Sequence, residues 1–425
     1  MPLEWPWGTG VTIDQSQDEL TSEVLDRDGI LALDAGQWHR LSAAALDDNP
    51  FYARSYVLAG MATLDRRVRL RALAVRRVDD GVLVGLFPFT LRRFPLARAA
   101  AAGNLYQFCG LPLIDRAHGA AVVTAWFAAM DFGSVPRQWR FGDLDLSSNF
   151  AALCRSAKAE AQLQFVPTGT YERARLVRGD GGFDSHVASV IAKSRVRDIQ
   201  RTLRRLGELG TLRFERATAA EAVAARLEDY LALEQAGWKG AGGTAFLSRP
   251  EHADFARLAF TRDPGSLVSI DSLLLDEQPI ALSINLQTGD TMFTPKCTYD
   301  ENYRKYSPGL ALEYLVIEAF YTREDCREMD AATTVNGHVV AGLWNDAKPM
   351  GTLMVGPRHW TTNVRVQVRH ALREGKAALK AAPQLAAGLA RQGRRQIGRA
   401  RTAAMLSALF IGEAVDNLAK ISLGV

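Results

Sequence analysis

Residues 296–318 read KCTYDENYRKYSPGLALEYLVIE, the end of a strand, a tight polar loop and the first turns of a helix. A helix start leaves several backbone N–H groups without intrahelical partners and carries about half a positive charge, so a phosphate docks there without a dedicated cation. Ser307 and Pro308 suit a helix entrance, and Gly309 lets the backbone approach a ligand closely. Pro308 and Gly309 thus predict a helix beginning next to an anion.

Working outward, residues 233–240 read LEQAGWKG, 329–331 read MDA and 342–345 read GLWN. Tyr306-x-x-Gly309-x-Ala311 resembles the pyrophosphate loop of GNAT acyltransferases, Gln/Arg-x-x-Gly-x-Gly/Ala. Tyr306 departs from the first position of that pattern, and Arg304 stands two residues earlier. The whole set, in this order and spacing, resembles the branch of the GNAT superfamily associated with bacterial cellulose or exopolysaccharide biosynthesis and related to FemAB-like transferases. The resemblance covers residues 190–356.

Composition bounds the rest. The chain has 425 residues, 48% of them hydrophobic and 23% charged, as expected of a globular protein with a sizeable core. A net charge of +4 is too small to argue nucleic-acid binding. Cys109, Cys154, Cys297 and Cys326 show neither C-x-x-C nor Cys/His ligand spacing, so no zinc site or disulfide framework is expected. The opening residues carry no basic region followed by an apolar run, which predicts a cytoplasmic protein.

Along the first half, a strand is expected at 29–34 and helices at 38–46 and 53–64. A hairpin at 68–77 and 82–92 should turn at Asp79-Asp80-Gly81, followed by a strand at 104–109, a helix at 120–130 and a strand at 139–146. The second half repeats this order. Strands at 267–275 and 279–287 flank residues 276–278, then come a strand at 291–297, a helix at 309–321 and a strand at 327–331. The fold expected is α/β (α+β): two tandem GNAT-like units, 1–165 and 166–357, with mixed, mostly antiparallel sheets, and a basic helical tail, 358–425. In the first unit, residues 111–120 lack the Tyr-Asp and Tyr-Arg elements, so that unit is expected to be structural or to shape the acceptor cleft. Residues 191–206 form a basic helix, and the tail ends in an apolar segment, 403–411. Such basic segments are solvated faces or docking arms for an acidic partner or a membrane surface.

The resemblance implies transfer of an acetyl or other acyl group from acyl-CoA to an amine or hydroxyl, with no metal. The strand 292–298 is the candidate splayed strand of the GNAT fold. Donor binding falls on Lys296, Arg304, Lys305, Tyr306, Ser307, Gly309, Leu310 and Ala311. Acceptor binding falls on Trp238, Lys239, Tyr299, Asp300, Tyr303 and Trp344, the two tryptophans reading first as core residues and otherwise as walls of the acceptor cleft. Glu234, Asp330 and His338 are the candidates for proton transfer or positioning. Glu234 reads alternatively as a structural partner of Lys239 or Arg226. Two other functions fit the motifs: aminoacyl transfer from a charged transfer RNA, and a non-catalytic docking role in a polysaccharide-synthesis assembly.

Overall fold

The structure, a computed structural model, describes residues 11–13, 19–92, 98–156, 163–260, 267–335 and 340–357. The first half runs through β1 (Val11–Ile13), β2 (Leu20–Leu25), α1 (Arg27–Ala32), α2 (Ala35–Ala43), α3 (Arg54–Ala62), β3 (Leu70–Arg77), β4 (Leu83–Arg92) and β5 (Arg98–Ala101). It continues with β6 (Leu113–Ile114), α4 (Gly119–Asp131), β7 (Trp139–Asp145), α5 (Asn149–Ser156) and β8 (Leu163–Val177). The second half holds α6 (Gly182–Val190), α7 (Lys193–Gly207), β9 (Leu212–Ala217), α8 (Ala220–Ala236), α9 (Trp238–Ala241) and α10 (Pro250–Ala259). Then follow β10 (Leu267–Leu275), β11 (Gln278–Thr288), β12 (Thr291–Tyr299), α11 (Pro308–Tyr321), β13 (Glu328–Thr334) and β14 (Asp346–Pro357). The tail, its apolar segment 403–411 and His338 lie outside the described residues.

The strands form one mixed sheet in the order β1-β2-β3-β4-β5-β7-β14-β8-β13-β12-β11-β10-β9, with β6 beside β4. Among the described residues only β5 with β7 and β12 with β13 pair parallel; the other pairings are antiparallel. Each half therefore contributes a meander closed by one parallel strand, the repeated order expected from the sequence. The halves then exchange their last strands. β8, which ends the first half, pairs with β13 of the second, while β14, which ends the second, pairs with β7 of the first. Long antiparallel pairing of β8 with β14 joins the two into a continuous sheet. Residue 165 falls inside β8.

Local chemistry explains the turns. Gly81, at φ +68, closes the β3–β4 hairpin, where the left-handed region favours glycine. Asp276 and Glu277, at φ +47 and +64, make the corresponding turn between β10 and β11 without a glycine. Two expectations for the first half are corrected. Residues 29–34 do not form a strand: Asp26 accepts the Gly29 N–H at 2.9 Å and caps α1, and Asp34 accepts the Gln37 N–H at 2.8 Å and caps α2. Residues 104–109 form a loop, because Asn104 accepts the Tyr106 N–H and the Tyr56 hydroxyl donates to the Tyr106 carbonyl. The strand stands earlier, at β5.

Candidate functional site

The site begins where β12 leaves β13. These strands pair at Thr291↔Glu328, Met292↔Met329 and Phe293↔Asp330, and no further. On its other edge β12 continues beside β11 to Tyr299↔Ala281, with an irregularity spanning Thr294 and Pro295. Proline has no N–H for a ladder, so its place in the sheet interior is at such a bulge. Beyond Phe293 one edge of β12 is therefore without a strand partner, the splay expected for 292–298.

The first half has the equivalent divergence, but it is closed. β5 and β7 pair only at Ala99↔Trp139 and Ala100↔Arg140. β6 then takes up the edge of β4 that β5 has left, and the Gly110 N–H donates to the Asp143 carbonyl of β7 at 3.4 Å. A Cβ on Gly110 would stand 2.2 Å from the Gly142 carbonyl oxygen, so glycine is required for this close approach. The chain itself fills the first gap. In the second half the end of β12 beyond this divergence borders a cavity.

That cavity, of about 490 Å³, is lined by Cys297, Thr298 and Tyr299 of β12, Ser307 to Leu310 and Glu313 of the α11 entrance, Ser283 of β11, and Glu234, Trp238 and Lys239. Arg195 of α7, Glu301 and Arg304 stand at its wall as well. Ser307 adopts φ +48, which turns the chain sharply into α11. A Cβ on Gly309 would meet only Tyr299 Cδ1, at 3.7 Å, so a side chain there would point into the cavity without striking the fold. Pro308 has no N–H, and the Leu310 and Ala311 N–H groups donate to the Ser307 carbonyl at 3.0 and 3.2 Å, so what this space offers a pyrophosphate is the Gly309 N–H and the dipole of a 14-residue helix.

Of the other residues expected at the donor, Ala311 is buried beneath the helix, and Lys305 rests over the Tyr306 ring at 4.8 Å. Arg205 of the basic helix lies over the same ring at 5.6 Å, so α7 adds cationic charge beside the loop. Asp300 caps the loop's 3-10 turn by accepting the Asn302 N–H at 2.9 Å. Tyr303 packs among the apolar residues around α11. Lys296 is not part of the cavity wall. Its ammonium lies 4.7 Å from the Tyr106 ring and 4.8 Å from the Phe246 ring, and burial, with opposition from Glu234, lowers its pKa to about 8.

Glu234 is almost fully buried near the end of α8. Its Oε1 accepts from the Tyr230 hydroxyl and from Lys239 Nζ, both at 3.0 Å, and its Oε2 accepts from the Phe246 N–H at 2.9 Å. Lys239 also donates to the Cys297 carbonyl at 2.8 Å. Both carboxylate oxygens of Glu234 are thus engaged, Oε1 holding Lys239 against β12 and Oε2 binding the Phe246 backbone. Trp238 is 60% exposed at the cavity, whereas Trp344 is buried.

Asp330 lies elsewhere. It lines a second cavity, of about 680 Å³, with Asp48, Arg173 and Lys348. Lys348 Nζ stands 2.8 Å from its Oδ2 and Arg173 Nη1 3.5 Å away. Burial opposes its charge, but these two cations hold its pKa below the ordinary range. A carboxylate so stabilised is a poor base.

The sequence reading missed Glu313. It follows Gly309 by four residues and therefore shares its helix face. Trp344 Nε1 donates to its Oε1 at 2.7 Å, and burial raises its pKa to about 7, with the Trp344 bond lowering it and Asp271 raising it. The signal lay in the quoted stretch: an acid four residues after Gly309, on the same face of a largely apolar helix. Among the described residues, no His/Cys/Asp/Glu group could hold a metal ion, and no helix is long and apolar enough to cross a membrane.

No curated protein matches the chain. Among solved structures it is similar to FemX, at 10% identity over 76% of this chain and 96% of that one, with a TM-score of 0.49. It is also similar to a conserved protein of unknown function from Bacteroides thetaiotaomicron, at 11% identity, 76% and 97% coverage and a TM-score of 0.47. A tandem GNAT protein from the clavulanic acid biosynthesis pathway matches at 14% identity, 78% and 98% coverage and a TM-score of 0.35. Residues 193–338, which hold α7, α8, the diverging strand and the α11 entrance, match the family model described as an acetyltransferase (GNAT) domain.

Proposed function

We propose that this protein transfers an acetyl or other acyl group from acyl-CoA to an amine or hydroxyl acceptor. The observation that carries this reading is the cavity lined by Gly309 and by the part of β12 beyond Phe293, where its pairing with β13 has ended. The pyrophosphate lies at the α11 entrance, met by the Gly309 N–H and the helix dipole, with Arg304 and Lys305 near it, and the pantetheine arm passes along β12. A thioester carbonyl placed at that edge accepts a backbone N–H, which stabilises the oxyanion formed on attack. The acceptor enters at Trp238 and Lys239, the latter held in place by Glu234. Its nucleophilic atom attacks the carbonyl carbon directly, the C–S bond breaks, and CoA leaves as the thiol.

The motif resemblance supports a setting in polysaccharide or cell-envelope biosynthesis, and the scattered free cysteines suit the cytoplasm. Mass spectrometry of the purified protein for retained CoA, with calorimetric titrations of CoA and of transfer RNA, tests the reading. Binding of CoA with a 1:1 stoichiometry is expected. Binding of transfer RNA without CoA would overturn it in favour of aminoacyl transfer.

A further inference from the structure

We propose that the second cavity is a binding site for a small hydroxylated primary amine, with its ammonium on Asp48 and one of its oxygens on Arg173. The site is separate from the donor cavity and does not rest on the donor reading. Met292 and Met329 pack in the apolar cluster that holds Ala311, Val316 and Phe320 of α11. Phe293, one residue on, turns to the other face of the sheet and meets the Phe51 ring at 5.5 Å. Its register partner Asp330 shares that face, and both line the second cavity. The first cavity is bounded by the α11 entrance itself, so the two lie on opposite faces of the sheet.

Two carboxylates of the second cavity differ in how their charge is met. Asp330 is compensated by Lys348 and Arg173. Asp48 has no lysine or arginine in ion-pair contact among the described residues; it accepts from the Thr291 hydroxyl and the Asp290 N–H. Burial, with the Asp290 carboxylate adding to it, pushes its pKa up to about 6 against those two bonds and the field of Arg116, whose guanidinium is spent on the Ala43 and Ala45 carbonyls. The position is built: a Cβ on Gly289, which has φ +55, would collide with Asp48 Oδ1, so glycine lets the β11–β12 turn close around the carboxylate. Six carboxylates and three cations line the space, which makes a cation its complement.

Arg173 supplies the second contact. It is 2% exposed; its Nη1 donates to the Phe108 carbonyl at 2.7 Å and its Nη2 to the Tyr171 hydroxyl at 2.9 Å, while its Nε has no hydrogen-bond partner among the described residues. A buried N–H left unpaired is costly, and a ligand oxygen relieves it. A hydroxyl suits this place better than a carboxylate, because Asp330 Oδ2, 3.5 Å from Arg173 Nη1, repels a second anion. Asp290 and Arg116 are exposed while Asp330, Arg173 and Lys348 are buried, so the cavity runs from solvent to the sheet. Its volume of about 680 Å³ accommodates a ligand of sugar size.

The test titrates the full chain by calorimetry at about pH 7, with glucosamine as the probe. N-acetylglucosamine keeps the hydroxyls without the charge, and cyclohexylamine keeps the charge without the hydroxyls. Glucosamine should bind once per chain, and each analogue at least about 10-fold more weakly. Asp48→Asn, shown by circular dichroism to be folded, should lose glucosamine affinity by a similar factor. Saturating CoA, or the Gly309→Val change, should leave that affinity as it is, so failure of the donor site does not touch this one. No binding of glucosamine to wild type, equal binding of either analogue, or wild-type affinity in folded Asp48→Asn would overturn the site. Displacement of glucosamine by CoA would place the amine in the first cavity and overturn it as well. The comparison of analogues is made on wild type and decides the matter even where Asp48→Asn does not fold.

Discussion

The indole N–H of Trp344 donates a 2.7 Å hydrogen bond to Oε1 of Glu313, joining the segment before β14 to the face of α11 that borders the cavity. This bond satisfies two buried polar groups that would otherwise be costly, and it fixes one carboxyl oxygen of a side chain that lines the cavity. A buried acid in this setting makes stability depend on pH.

The sign follows from its raised pKa. In the folded protein the group moves from its ordinary 4.5 to about 7, so the neutral form is favoured. Its contribution is complete below pH 4.5 and is lost as pH rises through about 7, a loss of about 3 kcal/mol. Glu313→Gln, which keeps an acceptor for Trp344, should therefore exceed wild type in stability at pH 8 by up to that amount and show much less advantage at pH 5. Urea denaturation at both values measures it. An equal effect at pH 5 and pH 8 would exclude a buried neutral acid.

Replacing Glu234 with glutamine should damage the fold as well as turnover. An amide has one acceptor oxygen, whereas the three donors Tyr230, Lys239 and the Phe246 N–H converge on both carboxylate oxygens. One donor is left facing an NH₂ group, a cost of about 1–3 kcal/mol. Unfolding by urea near neutral pH reads this directly, and an unchanged midpoint and slope would mean that the three donors find other partners.

Asp330→Asn removes one of the two carboxylates that, among the described residues, lie within 3 Å of Lys348 Nζ, and leaves Arg173 and Lys348 buried with less compensating charge. Loss of one partner from such a buried cluster costs about 3–5 kcal/mol. A fall in thermal stability with CoA affinity intact in the remaining folded protein is expected. A variant of wild-type stability but no turnover would instead return Asp330 to the chemistry.

The hairpins were legible because turn chemistry is local: Asp79-Asp80-Gly81 announces a reversal whatever the rest of the chain does. The start of α11 was legible for the same reason. β8 was not. Its run YERARLV is rich in charge, yet Arg173 is buried in the sheet because Asp330, distant in sequence, meets it there. Nor does any local signal announce the exchange of β8 and β14, which depends on pairing across more than 150 residues. At the site, Glu234 was found through its motif and Asp330 through its strand end, but their occupied oxygens depend on Phe246, Arg173 and Lys348. Glu313 stood in plain view, four residues after Gly309. Only the indole of Trp344 and the cavity reveal what it faces.

The central claim is that Gly309 keeps open the space where CoA docks. Isothermal titration of CoA into wild type and Gly309→Val, with circular dichroism to establish that both are folded, tests it most directly. A Cβ there meets only Tyr299, so the variant should fold, while the added side chain occupies the donor space and binding should fall by at least about 100-fold, roughly 3 kcal/mol. Equal CoA affinity in a folded Gly309→Val protein would contradict the account.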